Sequence, residues 1–296
     1  MAKILITGGS GFVGSNLIDY LETKHSIVKF DRTKKEIDLR EIEVIIHLAG
    51  LTEGNLKMKK LNDFVSANFD LTKTLFDEFT KSNGTKFIFI SSVKACAESS
   101  DEIITEETTP NPETYYGISK LKAEDYLMSN NYIKGKRVYI LRPPLIYGPG
   151  NLGNLSLLYK FIKLGIPWPF GKFNNKRSFC SIDNLNFVIN EFINRNDIES
   201  GIYNVADDDA ISTTELVSLI YSKKSGKPRV LNIPPKMVAL FATIGDILRL
   251  PLNSNFLSKM TESLIVSNKK IKNNLGIELP TKIQFGLNNF FQSIKA

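Results

Sequence analysis

The 296-residue sequence predicts an α/β fold, in which a doubly wound parallel sheet is joined to a smaller, mainly helical lobe. Three observations predict this fold. Short apolar runs alternate with helical stretches over residues 1–150, a glycine-rich loop follows the first run, and short helices with more Pro and Gly replace the strands after Gly148-Pro149-Gly150. We therefore expect a first domain over 1–150, to which the chain returns around 178–206, and a substrate-binding lobe over most of 151–296.

The predicted elements of the first domain alternate between strand and helix. Buried strands are expected at 3–7, 27–30, 44–48, 86–91 and 138–141. Helices are expected at about 15–24, 61–81 and 117–129. Continuous apolar strands that alternate with helices indicate a parallel sheet covered on both faces.

Two helices are predicted in the second lobe. Ser212-Thr213-Thr214-Glu215 has the pattern of a capping box and marks a helix start. Residues 236–248 form an amphipathic pattern, for which we favour packing within the lobe over a cover for the substrate or contact with a membrane surface.

Composition and charge exclude several classes of protein. With 42% hydrophobic and 23% charged residues, the chain can bury a full core, so disorder is not expected. No apolar run reaches the roughly 18 residues of a membrane span, and the first residues lack the pattern of a secretory signal, so we expect a cytoplasmic protein. The net charge of +7 permits an anionic partner, but the lysines are spread along the chain, so nucleic-acid binding is not expected.

The cysteines and histidines favour neither a metal site nor hydrolytic chemistry. Cys96 and Cys180 lie far apart without a CxxC motif, which indicates two reduced thiols. The only histidines are His25 and His47, and His47 lies in an apolar run, where we interpret it as a core residue. We therefore predict no metal and no Ser-His-Asp triad.

The loop after the first strand has the spacing of a dinucleotide site. Gly8, Gly11 and Gly14 permit a tight turn and let a pyrophosphate approach backbone N–H groups at the positive end of a helix. Phe12 and Val13 supply two of the residues at that helix end. The order of strand, glycine loop and helix therefore predicts that this loop binds a dinucleotide.

Two charged residues bear on which dinucleotide is bound. Asp31 follows the second strand, 17 residues after Gly14, where a carboxylate binds ribose hydroxyls and repels a 2′-phosphate. The neighbouring Arg32 can instead attract such a phosphate. We therefore favour NAD, with NADP left open.

A tyrosine and a lysine four residues apart on a helix place an ammonium beside a phenol, and the positive charge favours the phenolate. Four pairs have this spacing: Tyr20/Lys24, Tyr116/Lys120, Tyr132/Lys136 and Tyr159/Lys163. Only Tyr116 follows a strand that ends in a serine pair, Ser91-Ser92, and only its pair has the form Tyr-Gly-x-Ser-Lys. We predict that Tyr116 exchanges a proton with the substrate, while Ser92 hydrogen-bonds the reacting oxygen.

These motifs, together with His47-Leu48-Ala49-Gly50 and Arg142-Pro143, resemble the extended short-chain dehydrogenase/reductase family, in its NAD-dependent epimerase/dehydratase group. The resemblance spans nearly the whole chain. It implies a Rossmann domain, a catalytic set of Ser92, Tyr116 and Lys120, and hydride exchange between nicotinamide and a sugar carbon.

The resemblance also implies further contacts. Lys120 would hold the nicotinamide ribose, and the other implied cofactor contacts are Asp38 and Leu39 near adenine, Leu48, Ala49 and Gly50 near the centre, Asn68 in support, and Pro143. The implied contacts to the diphosphate or the sugar are Asn154 and Arg177, with Lys269 or Lys270 as a second candidate.

Two stretches are interpreted against the family pattern. The stretch between Asp31 and Val44 is shorter than the family usually shows, so the third strand and its helix are expected to be reduced. Residues 203–205 resemble a strand of the substrate lobe, and we interpret them as core.

The residues after Ser92 bear on the reaction. Family dehydratases have an Asp-Glu pair there, whereas this chain has Val93-Lys94, so dehydration is disfavoured. The resemblance then implies a 4-epimerase or 4-keto reductase of a UDP-hexose or UDP-N-acetylhexosamine, in surface-polysaccharide synthesis. An NAD(H)-binding regulatory protein without turnover and an NADPH reductase of a non-nucleotide carbonyl compound stay open. We expect a homodimer, formed through the helices near Leu61 and Gly117.

Overall fold

The computed structural model describes residues 1–30, 38–52, 60–131, 133–151, 153–163, 165, 167–222, 230–249 and 253–294. The strands in these ranges are β1 Lys3–Thr7, β2 Ser26–Lys29, β3 Val44–His47, β4 Lys86–Ile90, β5 Arg137–Arg142, β6 Leu145–Tyr147, β7 Phe179–Ser181 and β8 Gly201–Asn204. The α-helices are α1 Phe12–Leu21, α2 Leu61–Val65, α3 Leu71–Lys81, α4 Tyr115–Ser129, α5 Asn154–Lys163, α6 Ile182–Asn194, α7 Thr213–Ser222, α8 Pro235–Leu248, α9 Ser254–Thr261, α10 Lys269–Leu275 and α11 Ile283–Ser293.

Six of the strands form one parallel sheet in the order β2-β1-β3-β4-β5-β8. Ile4 of β1 lies beside Ile27 on one side and Val44 on the other. The order of strand addition therefore reverses between β1 and β3, which makes the sheet doubly wound and leaves a crevice at their carboxyl ends. The predicted α/β fold with a parallel sheet is confirmed.

Alternate residues of the strands face two separate layers of helices. On one face, Ile4, Ile46 and Ile88 join a core with α1, α6 and α10. On the other face, Leu5 and Phe87 join a core with α3 and α4. This alternation follows from the period of two in a strand, and it explains why the central strands are apolar at every position.

The predicted elements agree closely with the observed ones. The five predicted strands match within one residue at each end. Helix α1 begins at Phe12, three residues before the predicted start, because Gly11 already takes the extended conformation of an N-cap. The helix predicted over 61–81 is present, but its middle, Ser66–Asp70, is π-helical.

The second lobe has its own apolar core, which surrounds the buried Trp168 and Phe170. Side chains from α5, α7 and α11 pack into this core, while β6 and β7 pair in parallel beside it. The predicted capping box is present, because the Ser212 amide donates to the Glu215 carboxylate and the Glu215 amide donates to Ser212 Oγ. None of the helices in the described ranges combines the length and apolar character that crossing a bilayer requires.

The chain returns to the sheet after its first passage through the second lobe. Helix α6 packs on the sheet and β8 pairs with β5, so residues 203–205 belong to the core of the main sheet, in the range 178–206 where we expect the chain to return to the first domain, and not to a strand of the second lobe. Tyr203 is buried as expected, but it lies in the core of the main sheet. The division of the chain near residue 150 stays a prediction.

Candidate active site

The glycine loop lies at the carboxyl end of β1, beside the crevice. Gly8 has a φ of +71°, which strongly favours glycine. A Cβ on Gly14 would overlap the Gly8 carbonyl oxygen, so the first turn of α1 packs directly against the loop. No side chain caps this end of α1, where Phe12 and Val13 begin the helix. The arrangement fits a pyrophosphate, because bare backbone at the positive helix end is what such a group requires.

A buried chain of hydrogen bonds connects the glycine loop to β3. Thr7 Oγ1 accepts from the backbone amides of Leu48 (3.2 Å) and Ala49 (3.0 Å) and lies 2.6 Å from His47 Nδ1. His47 Nε2 lies 2.9 Å from Thr72 Oγ1, which itself donates to the Asn68 carbonyl. Thr72 therefore accepts from an Nε2–H group, and Thr7 donates to a bare Nδ1. His47 is thus a hydrogen-bonded core residue, and it orients the Thr7 hydroxyl that holds the 48–49 backbone.

Asn68, which is fully buried in the π-helical turn, holds the next stretch of this loop. Its side-chain amide accepts from the Leu51 amide (2.6 Å) and donates to the Leu51 carbonyl (3.1 Å) and to Ser119 Oγ (2.8 Å). A Cβ on Gly50 would lie 2.6 Å from Asn68 Oδ1 and 3.5 Å from Lys120 Nζ. Asn68 therefore connects the loop after β3 to the helix that carries Tyr116 and Lys120.

Lys120 is buried within α4 and points toward β4. Its Nζ donates to the Ile90 carbonyl at 2.9 Å and lies 4.5 Å from the centre of the Phe89 ring. Burial lowers the pKa of Lys120 to about 8, while the charge of Glu124 acts in the opposite direction. The ammonium is therefore held in one orientation beside the crevice, one helical turn from Tyr116.

Ser92 caps the 3-10 turn Val93–Ala95 that follows β4. Its Oγ accepts from the Lys94 amide at 3.2 Å, and the Val93 amide donates to the Pro143 carbonyl at 3.0 Å. Ser92 itself is half-buried. The hydroxyl thus lies at the carboxyl end of β4, on a turn that the strand end of β5 supports.

Tyr116 lies in the first turn of α4, which packs against the Ser92 turn. A Cβ on Gly117 would overlap the Lys94 carbonyl oxygen, so only glycine permits this approach. Thr114 caps α4 and also donates to Glu98 at 2.6 Å, and Glu98 pairs with Lys94 at 2.7 Å. The glycine of the Tyr-Gly-x-Ser-Lys motif therefore brings the half-buried Tyr116 to the turn that bears Ser92.

A buried ion pair beneath these residues was not anticipated from the sequence. Arg142 Nε lies 3.1 and 3.0 Å from the two carboxylate oxygens of Glu124, and both side chains are almost fully buried. Ser91 Oγ also donates to Glu124. Glu124 follows Lys120 by one turn on the same helix face, and this spacing is the signal that could have indicated its role.

Arg177 lies in the second lobe, where its backbone pairs with Ile211 at 3.0 Å in both directions. Burial lowers the pKa of the guanidinium, whereas the charges of Glu262 and Glu98 act in the opposite direction. A polar cleft of about 510 Å³ lies beside it, lined by Ser99, Ser100, Asp101, Asn174, Asn175, Thr261, Glu262 and Ser263. Arg177 therefore lies within electrostatic range of Glu262 in the second lobe and of Glu98, which follows the Ser92 turn.

The other Tyr/Lys pairs serve the surface or the core where the structure describes them, and Tyr132 lies outside the described residues. Lys24 lies over the Tyr20 ring at 3.8 Å, and Tyr159 stacks on Phe291. Lys136 donates to three carbonyls at the end of α3, those of Phe79, Ser82 and Gly84. Tyr116 and Lys120 alone among the described pairs lie beside the serine of β4.

Several predicted contacts have other positions or fall outside the described residues. Asp31 and Arg32 lie outside them, and so does the side chain of Asn154. Of the stretch expected to be reduced, residues 31–37 also lie outside, and 38–43 contain neither a strand nor a helix. Asp38 forms an exposed pair with Arg40 at 2.7 Å, whereas the Leu39 side chain is in the core. Lys270 Nζ donates to the Ile202 carbonyl at 2.9 Å and lies over the Tyr203 ring. Of the two lysines suggested for the diphosphate, the exposed Lys269 is therefore the one that stays a prediction.

The thiols and the candidate metal ligands give no further site. Cys96 and Cys180 are both free and buried, and burial raises the pKa of each thiol. Over the described ranges, no three His, Cys, Asp or Glu side chains are grouped so that they could hold a metal ion.

Known proteins resemble this chain in both sequence and fold. A family model, the NAD dependent epimerase/dehydratase family, matches residues 4–206. The chain is 29% identical to a UDP-glucose 4-epimerase of Vibrio cholerae over 98% of this chain and 95% of that protein. It is 32% identical to a UDP-2-acetamido-2,6-beta-L-arabino-hexul-4-ose reductase of Pseudomonas aeruginosa, over 52% of this chain and 38% of the reductase. The UDP-N-acetylglucosamine 4-epimerase structure from Bacillus cereus covers 100% of both chains with a TM-score of 0.79, and at 18% identity it shows a shared fold.

Proposed function

The chain belongs to the NAD-dependent epimerase/dehydratase family, and from this premise we propose that it is a 4-epimerase of a UDP-linked hexose or N-acetylhexosamine. The observation that carries the proposal is the contact between Gly117 and the Lys94 carbonyl, which joins the Tyr116 helix to the Ser92 turn above the buried Lys120. Similarity to the Vibrio cholerae epimerase over nearly the full length of both proteins supports the choice of reaction and of a UDP-linked substrate.

The residues of the site have complementary roles in this reaction. Bound NAD supplies the hydride acceptor and donor. Tyr116 takes the proton of the sugar 4-hydroxyl and later returns it, while Ser92 donates a hydrogen bond to the same oxygen. The Lys120 ammonium, oriented by the Ile90 carbonyl, favours the phenolate of Tyr116 and binds the nicotinamide ribose. Because Val93 and Lys94 follow Ser92, the site offers no acid–base pair there for the removal of water.

The remaining predicted residues divide between the two ligands. Gly8, Gly11, Phe12, Val13 and Gly14 would cradle the pyrophosphate, and Leu48, Ala49, Gly50, Asn68 and Pro143 would line or support the centre of the cofactor site. Arg177 and Asn154 would bind the diphosphate of the substrate, for which a bidentate guanidinium is well suited. We also propose that the protein forms a homodimer through the α2–α3 and α4 region, which light scattering would test. A further part of the proposal is that the reaction belongs to surface-polysaccharide synthesis.

A 4-keto reductase is the second candidate. The 32% identity to the Pseudomonas aeruginosa reductase over half of this chain favours it, and both reactions use the same Tyr116 and Ser92. The two differ in the cofactor, since an epimerase keeps NAD between its half-reactions and a reductase exchanges it. Near-stoichiometric NAD released from denatured protein supports the epimerase. An empty protein that consumes NADH or NADPH with a 4-keto sugar nucleotide supports the reductase.

The mutational test compares Tyr116→Phe with Tyr115→Phe, because Tyr115 is 51% exposed on the same helix turn. We expect Tyr116→Phe to lower kcat by about 10²–10⁴-fold with NAD content unchanged, and Tyr115→Phe to retain activity. A regulatory protein would be favoured if wild type and Tyr116→Phe bind NAD(H) equally and respond to it in the same way, and neither turns over a substrate. Turnover of a carbonyl compound without any nucleotide, unaffected by Arg177→Lys or Arg177→Gln, would favour the non-nucleotide reductase.

A further inference from the structure

Helix α8 exposes an apolar face that the second lobe does not cover. Six of its large apolar side chains are 41–76% exposed: Met237, Leu240, Phe241, Ile244, Ile247 and Leu248. The described residues carry thirteen such exposed side chains in total, so nearly half of them lie on this single helix. Isolated exposed apolar residues are ordinary, whereas a contiguous set marks a surface that binds something.

The six side chains share one side of the helix. At 100° per residue they span an arc of about 120°, the width of an amphipathic face. The residues that pack α8 onto the protein are Val238, Ala242 and Gly245, which are small or medium-sized and lie on the other side. The expectation that this helix packs within the lobe therefore holds for its small residues only.

The sequence around α8 is strongly basic. Between Glu215 and Glu262, Asp246 is the only acidic residue, against seven basic ones: Lys223, Lys224, Lys227, Arg229, Lys236, Arg249 and Lys259. This segment therefore carries a net charge of +6, against +7 for the whole chain. Basic residues occur throughout the sequence, but here few acidic residues balance them.

Within the segment, the one carboxylate is already engaged. Asp246 accepts from the backbone amide of Ser254 at 3.1 Å and from its hydroxyl at 2.5 Å, at the start of α9. Lys236 and Arg249 flank α8 and are both exposed. At 100° per residue, Lys236 lies at the edge of the apolar arc, next to Ile247.

We infer that α8 is an interfacial helix, which lies on a bilayer surface with anionic headgroups. An apolar arc with a lysine at its edge and an arginine at the helix end has the chemistry of such helices, since the apolar side chains enter the acyl boundary while lysine and arginine contact the headgroups. A second copy of the chain is the less suitable occupant, because contact of this face with itself would bring the exposed Lys236 of the two copies together, while the one carboxylate of the helix is already engaged by Ser254. The active site would then work at the membrane surface.

Sedimentation with lipid vesicles tests the inference on the full-length protein. Vesicles of phosphatidylcholine with about 30% phosphatidylglycerol are compared with vesicles of phosphatidylcholine alone. We expect binding to the anionic vesicles at least about tenfold stronger than to the neutral ones, and a decrease in about 0.5 M NaCl, where charges are screened over a few ångströms. Equal binding to both vesicle types, or no binding, would overturn the inference.

A double variant, Leu240→Asp with Ile247→Asp, removes the apolar face at two exposed positions. The matched control is Phe285→Asp, since Phe285 is 64% exposed on α11 and lies outside the arc. We expect the double variant to lose vesicle binding about tenfold or more, with thermal unfolding unchanged, and the control to bind as wild type does. If light scattering instead shows a dimer that the double variant converts to a monomer, a second copy covers this face and the inference is wrong. Activity on a water-soluble substrate is read separately, so failure here leaves the proposed reaction untouched.

Discussion

The side-chain amide of Asn68 and the backbone of Leu51 hold each other through two hydrogen bonds, of 2.6 and 3.1 Å, across 17 residues of sequence. The contact immobilises the chain just beyond the 48–50 loop, which we propose lines the cofactor. A third bond, to Ser119 Oγ, ties the same amide to α4. One buried side chain thus connects the cofactor loop with the helix that carries Tyr116.

Asn68→Ala should therefore weaken NAD binding, because the Leu51 backbone and Ser119 lose their partner inside the protein. We expect a dissociation constant about 10–100-fold higher by isothermal titration calorimetry, which corresponds to about 1.4–2.7 kcal/mol. Asn62→Ala, at an exposed position of α2, is the control and should bind NAD normally. Unchanged affinity in Asn68→Ala would show that the loop holds its shape without this side chain.

Lys120 should make the stability of the NAD-free protein depend on pH. Its pKa is about 8 in the folded protein and near 10.5 in the unfolded chain, so between these values the unfolded chain binds the extra proton and stability rises with pH. From pH 7 to 9.5, wild type should gain about 2 kcal/mol relative to Lys120→Met, which lacks this titration. Urea unfolding at both pH values measures the difference. Lys122→Met, on the exposed side of α4, should behave as wild type, and a parallel pH dependence in all three proteins would contradict the assignment.

Gly14→Ala and Gly11→Ala should differ in their effect on folding. A Cβ at position 14 overlaps the Gly8 carbonyl, so we expect a loss of about 1–3 kcal/mol in the free energy of unfolding, with weaker NAD binding. A Cβ at position 11 lies 3.4 Å from the same oxygen, where φ is −78°, so stability should change by less than about 0.5 kcal/mol. Because the fold is then unchanged, any loss of NAD affinity in Gly11→Ala measures how closely the pyrophosphate approaches the backbone at position 11. Equal destabilisation by both changes would refute this account of the loop.

Glu124→Gln should destabilise the protein strongly, because it leaves the buried Arg142 guanidinium without its counter-charge. We expect a cost of about 3–5 kcal/mol in urea unfolding. Asp125→Asn, at the next and exposed position of α4, should change stability by less than about 0.5 kcal/mol. The double variant Glu124→Gln with Arg142→Met removes the unpaired charge. If it is no more stable than Glu124→Gln alone, the unpaired charge is not the cause of the lost stability.

The strands and the choice of Tyr116 could be predicted because both leave a local pattern. Apolar runs of four to six residues mark strands buried on both faces. The close approach of α4 to Lys94 requires glycine at position 117, and this glycine is part of the Tyr-Gly-x-Ser-Lys motif. The π-helical turn at Asn68 and the Glu124–Arg142 pair could not be predicted. Asn68 depends on Leu51, 17 residues away in the sequence, and Glu124 depends on Arg142, 18 residues away. A single Glu or Arg in a sequence does not show whether its side chain will be buried.

Helix α8 shows a different limit of sequence patterns. An amphipathic period was evident over 236–248, but the period alone does not say which side faces the protein. The structure turns Val238, Ala242 and Gly245 inward and leaves the large apolar side chains outside, the reverse of what hydrophobicity alone suggests. Likewise, the return of the chain to the first domain around 178–206 is predicted from the sequence, but the four residues 201–204 do not reveal that their partner strand is β5.

The path of the chain between its two cores restricts how the molecule can be divided and how it can open. The chain leaves the sheet after β5, returns for α6 and β8, leaves again for α7 to α9, and returns once more with α10 before α11 closes the second lobe. Neither lobe can be excised as a continuous fragment, because each would lack part of its core. Several chain segments connect the two lobes, and they restrict rotation of one lobe relative to the other. We therefore expect the cleft to select substrates by its shape and not by a wide hinged closure.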